Sequence, residues 1–362
     1  MDALYDIPVL GFVLQFVAYL LEAITTTDLA RITLVLATPI ALGALCGVMN
    51  ERSGIVNIGI EGMMLTSAFA GFMAALIVHE SGPPVAPSPF FGVTPALAVG
   101  VVAAVATGML VSALHAWLSI SVRADQIISG TVINITALGL TGYINRLIRP
   151  TGSAGTFQPF HPPDAIADLP LIGWIFRMFL EVGPISMSVI VLVIALQIML
   201  FRSRWGLRTR AVGEHPRAVD TVGINVVALR YRNVILGGVF AGLAGAWLTL
   251  EQTASFQNGM TANRGFIALA AVIFGRWTPL GAFGGALLFM ASEALGVAIR
   301  SNPPTGDLGT FLAGIQTSFP SLYNNVFAGL PYLLTIIILA GVVGRSVAPA
   351  AVGRPYVKEG AT

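Results

Sequence analysis

Charged residues are scarce in this sequence. Of its 362 residues, only 10% are Asp, Glu, Lys or Arg, whereas 56% are hydrophobic. Soluble domains carry about 25% charged residues, which form their hydrated surface. The composition therefore excludes a soluble globular fold and is typical of a membrane protein with several spans.

Cysteine and lysine each occur once, which excludes several kinds of site. Cys46 alone cannot form a disulfide framework or a cysteine zinc site. The residues around the single lysine, Lys358, do not fit Gly-x-x-x-x-Gly-Lys-Ser/Thr, so the chain has no P-loop for ATP. Catalytic motifs are also lacking, and we expect no catalytic residue and no cofactor. A net charge of +2 excludes a general nucleic-acid-binding surface.

The histidines do not suggest a metal site. Their spacing does not bring two of them together as ligands, so we expect no bound metal and place them in loops or interfaces. The four are His79, His115, His161 and His215.

Long apolar stretches dominate the sequence. A helix needs about 20 residues to cross the hydrocarbon layer, and nine stretches approach or exceed that length. A shorter run, 265–275, is expected to form a half-helix or to extend over Thr261–Arg264. We therefore predict an all-α transmembrane bundle of about ten spans that includes broken or half helices. The long stretches are 7–24, 30–49, 59–79, 94–120, 126–149, 185–201, 231–251, 278–299 and 328–344.

Arginines set the predicted orientation. The segment Arg202–Arg232 holds seven of them, which places it in the cytoplasm by the positive-inside rule. About ten alternating crossings then place both termini in the cytoplasm.

A first polar segment interrupts the apolar pattern at Gly47–Leu65. Asn57 can cap the helix that follows, and Glu61 would then lie in its first turn, where a carboxylate favours the positive end of the helix dipole. Alternatively, the segment is a broken helix that lines a solvated path. Insertion of a charged residue into a span costs about 2.5–3.5 kcal/mol, so Glu61 is expected to face protein or water.

A second segment, Gly206–Ile224, has the pattern of a short cytoplasmic helix. Pro216 fits the first turn and Gly223 fits the position just past the end. A helix of about seven residues is marginal in water, so something must hold it. Membrane topology and contact with anionic lipid explain the arginines of the loop but not the order of this helix, and we favour a docking element for a cytoplasmic protein.

The third segment, Arg264–Ala286, contains a short apolar run that ends at Gly275-Arg276-Trp277, and Pro279 opens the next helix. Short, glycine-interrupted segments in both halves of a transporter indicate a pathway built from broken helices. The segment is therefore a suspected counterpart of Gly47–Leu65. Small-residue repeats such as Gly238-x-x-x-Gly242 and Gly281-x-x-x-Gly285 predict close helix contacts.

The remaining polar residues of the spans yield candidates for a solute path. If the transported solute is uncharged, its path should be mildly polar, which would suit Asn57, Thr131 and Asn134 better than Glu293. Interhelical hydrogen bonds, worth about 0.6 kcal/mol on average, are the alternative for each of them. Other polar residues in the spans are Gln126, Glu251 and Gln252.

These three segments resemble the permease subunits of bacterial ATP-binding-cassette (ABC) importers, in the nucleoside and simple-sugar branch related to ribose and branched-chain amino-acid permeases. The resemblance covers about residues 30–345. It rests on Asn50-Glu-Arg-Ser-Gly-Ile-Val-Asn-Ile-Gly-Ile-Glu-Gly-Met-Met64, Arg210-Ala-Val-Gly-Glu-His-Pro-Arg217 and Gly265-Phe-Ile-Ala-Leu-Ala-Ala-Val-Ile-Phe-Gly-Arg-Trp277.

The resemblance implies partners and a domain organisation. The expected partners are a second homologous permease subunit in a heterodimer, a cytoplasmic ABC ATPase, a substrate-binding lipoprotein or periplasmic binding protein, and membrane lipid, but no nucleic acid. Residues 1–29 would be an N-terminal extension whose stretch 7–24 is a candidate first span. Residues 30–345 would form the permease domain with a coupling loop at 202–230, and residues 346–362 would form a cytoplasmic tail. The protein would lie in the bacterial inner membrane.

The implied function is a permease for nucleosides or simple sugars. The ATPase-coupling residues would be Arg208, Arg210, Gly213, Glu214, Pro216, Arg217, Asp220 and Gly223. The pathway residues would be Asn57, Glu61, Thr131 and Asn134. A secondary transporter that uses Glu61, Glu251 or Glu293 as a coupling carboxylate, and a passive channel, are the alternatives, although neither needs an ordered docking helix.

Overall fold

The structure is a computed structural model. It describes residues 8–25, 28–82, 85–88, 90–161, 169–301, 304–321, 325, 329 and 346–357. The predicted span 328–344 and Lys358 lie outside the described residues.

Within this described part of the chain, the fold is all-helical, as predicted. Thirteen α-helices are present, and α4 and α10 each continue into a π-helical turn, at Trp117–Val122 and Trp247–Thr253. The α-helices are α1 (Pro8–Thr25), α2 (Asp28–Glu51), α3 (Ile60–Ser81), α4 (Pro95–Ala116), α5 (Gln126–Ile148), α6 (Pro170–Leu180), α7 (Pro184–Arg202), α8 (Arg204–Glu214), α9 (Pro216–Thr221), α10 (Val226–Ala246), α11 (Arg264–Phe274), α12 (Pro279–Ser301) and α13 (Gly306–Ser318).

Seven helices of the described chain are long and apolar enough to cross a membrane, which makes this a multi-pass membrane protein. Each coincides with a predicted stretch. The short run 265–275 is confirmed as the 11-residue helix α11. At 1.5 Å per residue, α11 is about 16 Å long, or about half of the hydrocarbon thickness. It is therefore a half-helix.

The chain divides into two compact units. One comprises residues 1–37, 161–182 and 287–344, and the other comprises 38–160, 183–286 and 345–362. In the first unit, the Gln15 side-chain oxygen accepts a hydrogen bond from the Leu308 N–H at 3.0 Å. An ion pair of 3.5 Å joins Arg31 to Glu181 in the same unit.

The second unit has its core where α3, α4 and α10 pack together. Close approach between α4 and α10 depends on the glycines predicted to serve this purpose: a Cβ at Gly108 would lie 2.4 Å from the Gly238 carbonyl oxygen and 2.7 Å from the Gly242 nitrogen. At Gly245, a Cβ would lie 2.5 Å from the Met64 carbonyl oxygen of α3. The small-residue stripe of α10 therefore lets two neighbouring helices approach backbone to backbone.

Candidate functional site

The first and third polar segments of the sequence meet in the structure. The Trp277 indole N–H donates a hydrogen bond to the Glu51 carboxylate. The Arg52 Nε–H donates to the Trp277 carbonyl oxygen at 2.7 Å, and Arg52 Nη2 donates to the Arg276 carbonyl oxygen at 3.1 Å. The end of α2 therefore holds the turn between α11 and α12.

The turn held in this way is strained. Arg276 and Trp277 have φ angles of +51° and +53°, in the left-handed region. This conformation costs a residue with a side chain about 1–2 kcal/mol. It persists because the surrounding contacts fix it, and those from Glu51 and Arg52 are among them.

Glu61 caps the N-terminus of half-helix α11. Its two carboxylate oxygens accept from the Asn263 N–H at 2.9 Å and from the Gly265 N–H at 2.6 Å. A Cβ at Gly265 would lie 2.6 Å from the Glu61 Cα, so the two backbones touch here. Because Glu61 also lies in the first turn of α3, its negative charge faces the positive ends of two helices.

Asn57 does not cap α3, contrary to the expectation. Gly59 is the N-cap residue, and the fully buried Asn57 accepts from the Gly59 N–H at 3.0 Å. The side chain that reaches into the first turn of α3 comes from α5: Asn134 accepts from the Gly62 N–H at 2.8 Å and donates to the Ile58 carbonyl oxygen at 3.0 Å. Both asparagines therefore satisfy backbone groups at the broken start of α3.

Thr131 and Gln126 lie elsewhere on α5. Thr131 is exposed, and its hydroxyl donates to the Ile127 carbonyl oxygen of its own helix at 2.9 Å. The Gln126 side-chain oxygen accepts from the Val56 N–H at 2.7 Å. Among the four predicted pathway residues, Thr131 is the exposed one, Glu61 and Asn134 are half-buried, and Asn57 is enclosed.

His115, expected in a loop or an interface, is fully buried in the membrane-spanning helix α4, between α5 and the segment before α3. Its Nε2 is 2.9 Å from the Val56 carbonyl oxygen and its Nδ1 is 3.2 Å from the Ser129 hydroxyl. Polar backbone at Val56 explains the placement, because the irregular segment before α3 needs partners inside the membrane domain.

The second polar segment forms two consecutive short helices. The helix predicted from Pro216 and Gly223 is confirmed as α9, with Pro216 in its first turn and Gly223 at φ +80° just beyond its end. The preceding helix, α8, was not predicted. The Ser203 hydroxyl caps it by accepting from the Gly206 N–H at 3.0 Å. We call α8 and α9 the coupling helices, after the role predicted for this loop.

Apolar contacts hold the coupling helices together. Val212 and Val219 form a buried cluster with Val226 and Leu229 of α10, and Tyr356 packs against it. Of the predicted coupling residues, Gly213 is buried; Arg210, Pro216 and Asp220 are half-buried; and Arg208, Glu214, Arg217 and Gly223 are exposed.

Residues 346–357, which we call the C-terminal segment, run along the coupling helices. The Ala351 N–H donates to the Gly213 carbonyl oxygen at 2.8 Å, and the Ala350 N–H donates to the Glu214 carboxylate at 3.1 Å. A cleft of about 550 Å³ lies between α9 and this segment. Nothing in the local sequence indicates these contacts, since they join positions more than 130 residues apart.

A second carboxylate caps a helix from a distance. Glu251 accepts from the Ile185 N–H at 2.7 Å and from the Ser186 N–H at 3.1 Å, and also from the Ser186 hydroxyl. A Cβ at Gly183 would lie 2.2 Å from the Glu251 side chain. The N-terminus of α7 is therefore closed by Glu251, as that of α11 is by Glu61.

Another cleft of about 550 Å³ lies at the C-terminal end of α5, where the sequence indicated no site. The Asn145 amide donates to the Asn258 side-chain oxygen at 3.1 Å on its wall. Amide, guanidinium and aromatic groups surround it: Phe72, Asn145, Arg146, Arg149, Phe256 and Asn258 are among its lining residues.

Several helices long enough to cross a membrane, together with a capped half-helix, are features of membrane transporters. The sequence matches the family described as branched-chain amino acid transport system / permease component over residues 29–339. The chain belongs to this family and is the transmembrane permease subunit of an ABC importer. Family members work with a separate ATPase subunit and a substrate-binding protein.

Several named relatives are similar over nearly their whole length. Guanosine ABC transporter permease protein NupQ of Bacillus subtilis is 39% identical over 90% of this chain and 95% of its own. Nucleoside ABC transporter permease protein NupC of Lactococcus lactis is 36% identical over the same shares. Putative glucose ABC transporter permease protein TsgC13 of Haloferax volcanii is 33% identical over 88% of this chain and 92% of its own. No solved structure gives a significant match.

Proposed function

We propose that this permease carries nucleosides across the bacterial inner membrane and that the coupling helices dock into its ATPase subunit. The observation that carries the docking role is the ordered pair α8 and α9, held by a buried cluster and by the C-terminal segment. Such an arrangement presents Arg208, Glu214 and Arg217 on a fixed surface. The proposed coupling loop spans 202–230, within a permease domain of 30–345.

Neutral polar groups support a nucleoside or simple sugar as the solute. Asn134 and Glu61 lie at the broken starts of α3 and α11. We propose that they line the path together with the exposed Thr131 of α5, with Asn57 behind them. The relatives named for guanosine and nucleoside transport favour nucleosides. The relative named for glucose makes a simple sugar the alternative solute.

A second, homologous permease subunit is proposed to complete the path. In Bacillus subtilis, a further protein named for guanosine transport, NupP, is 27% identical to this chain over 299 residues. NupQ and NupP are thus two different permease proteins named for one solute, which supports a heterodimer here. Both termini would lie in the cytoplasm, with 1–29 as an N-terminal extension, 346–362 as a tail, and the arginines of the coupling loop near anionic lipid.

Capping by Glu61 and Glu251 argues against a secondary transporter. Each carboxylate accepts two backbone N–H groups at a helix start. A coupling carboxylate would have to release these N–H groups in each transport cycle, which would leave both helix starts without partners. The geometry therefore favours structural roles over proton coupling.

The test is uptake by proteoliposomes that contain this chain with its co-encoded permease, ATPase and binding protein. We expect ATP-dependent uptake of labelled guanosine that an uncoupler leaves unchanged. The combined change Glu214→Gln and Arg217→Gln should lower uptake by about tenfold, the low end of typical coupling between sites, while the subunit stays inserted.

The matched control is the pair Glu80→Gln and Arg232→Gln, which removes one exposed carboxylate and one exposed guanidinium outside the coupling helices. Normal uptake in the Glu214/Arg217 variant would contradict the docking role. Uptake of glucose instead of guanosine would shift the solute to a sugar, and uptake that is insensitive to ATP but abolished by an uncoupler would contradict an ATP-driven importer.

A further inference from the structure

We propose that Arg52 is the positioning residue that transmits movement of the coupling helices to half-helix α11. This inference rests on the proposed docking of α8 and α9 to the ATPase. It assigns a route through the permease: from α8 to Arg52, from Arg52 to the turn between α11 and α12, and along α11 to Glu61.

The side chain of Arg52 binds the turn between α11 and α12. Its Nε and Nη2 donate to the consecutive carbonyl oxygens of Trp277 and Arg276, at 2.7 and 3.1 Å. A planar guanidinium fixes both the position and the orientation of such a pair of acceptors. Because both acceptors are consecutive carbonyl oxygens of one turn, a displacement of Arg52 acts on the turn through two hydrogen bonds.

The main chain of Arg52 contacts helix α8. A Cβ at Gly213 would lie 2.3 Å from the Arg52 carbonyl oxygen, so α8 rests on the Arg52 backbone without a gap. Gly213 is one residue before Glu214 at the end of α8. A displacement of the coupling helices toward the membrane therefore pushes directly on residue 52.

Charge and ring contacts also surround the Arg52 guanidinium. Burial lowers the pKa of the Arg52 guanidinium, the charge of Glu214 raises it, and the charge of Arg210 lowers it again. Both Arg52 and Arg210 lie over the Phe201 ring, at 5.7 and 4.9 Å from its centroid. Arg52 is thus linked electrostatically to the proposed ATPase-facing residues on one side and by hydrogen bonds to the turn on the other.

Half-helix α11 can carry the displacement along its own axis. It lies against glycines of α2, where a Cβ at Gly43 would be 2.9 Å from Ala268 and one at Gly47 would be 2.8 Å from Val272. At these two positions no side chain of α2 stands in the way of Ala268 or Val272. At the other end of α11, its N-terminal N–H groups bind Glu61, so the shift reaches the proposed solute path.

The experiment compares Arg52→Gln, Arg52→Lys and the control Arg232→Gln in the complete reconstituted transporter. Four quantities are measured: ATPase subunit recovered with the permease, ATP hydrolysis, guanosine uptake, and the ATP-dependent spectral change of a spin label. The label is placed through Gln257→Cys, an exposed position before α11, in a Cys46→Ala background.

We expect Arg52→Gln to retain the ATPase subunit and its hydrolysis but to lose the label response, with uptake about tenfold lower. Arg52→Lys keeps the charge but cannot form the bidentate contact, and it should fall between wild type and Arg52→Gln. The Arg232→Gln control should match wild type. A purely structural role would lower all four quantities together.

A wild-type label response in Arg52→Gln, or uptake within twofold of wild type, would overturn the proposal. If Arg52→Gln is not recovered in the membrane, Gly213→Ala tests the contact between α8 and Arg52 instead, because the added methyl group displaces α8 from the Arg52 carbonyl. A normal label response in Gly213→Ala would also overturn the proposal. Failure of the docking proposal itself is distinguishable: the wild-type label would then show no response to ATP.

Discussion

At the scale of single residues, two carboxylates have structural tasks inside the membrane domain. Glu61 and Glu251 each close the N-terminus of a helix that belongs to a different part of the chain. The first four N–H groups of a helix lack partners within it, and water cannot supply them in the hydrocarbon layer. These glutamates are therefore what allows α11 and α7 to begin inside protein.

Replacement of Glu61 should loosen the start of α11. In Glu61→Gln, one neutral oxygen remains to accept, so the cap loses one acceptor and its charge, at a cost of about 1–2 kcal/mol. The measurement is hydrogen exchange of the amides of residues 263–267 in nanodiscs, which should become about tenfold faster or more, since 1.4 kcal/mol corresponds to a factor of ten.

The control for that change is Glu80→Gln, at the exposed other end of the same helix α3. Equal exchange rates in wild type and Glu61→Gln would show that the Glu61 cap does not stabilise α11.

At the scale of elements, the coupling helices depend on their surroundings. A six-residue helix such as α9 has too few internal hydrogen bonds to persist alone in water. Val219, at 6% exposure, anchors it to the cluster beneath. The order of the proposed docking surface therefore depends on its contacts with α10 and the C-terminal segment.

Truncation of that anchor should weaken docking. Val219→Ala removes two buried methyl groups, worth about 0.8 kcal/mol each, so recovery of the ATPase subunit at limiting concentration should fall by about tenfold. Val222→Ala is the matched control, because Val222 is 72% exposed at the end of the same helix. Equal loss in both variants would argue against an anchoring role for Val219.

Elements differ in how far the sequence determines them. The spans and α9 follow from hydrophobic length and from the Pro216–Gly223 pattern, which are local signals. The Glu61–α11 cap, the Arg52 contacts and the buried His115 join residues distant in sequence, and single-sequence patterns do not encode such pairings. Polar groups inside apolar stretches need partners, and such groups distinguish both Gly47–Leu65 and Arg264–Ala286 in the sequence. Their local patterns do not show that each segment supplies partners for the other.

At the scale of the whole molecule, one group of contacts brings together charged segments from distant parts of the sequence. The contact of Arg52 with Arg276 and Trp277 puts the end of α2 and the turn after α11 together. The coupling helices and the C-terminal segment join the same group. In the proposed orientation this whole group is cytoplasmic, and the segment around residues 80–93 is on the opposite face.

Cysteine labelling tests that orientation. Cys46, the sole cysteine of the sequence, is buried, so the native chain should give little background. Val347→Cys, at a position 75% exposed, should react with a membrane-impermeant maleimide only in inverted vesicles. Val85→Cys, at a position 51% exposed, should react only in right-side-out vesicles. Labelling of both variants from the same side would contradict the proposed topology.

The position of the C-terminal segment has a consequence for biosynthesis. Glu214 and its backbone partner at Ala350 are 136 residues apart. The coupling helices therefore leave the ribosome long before the C-terminal segment that supports them. A nascent or prematurely terminated chain would expose α8 and α9 without that support. Synthesis of residues 346–357 thus becomes the condition for a finished form of the proposed docking surface.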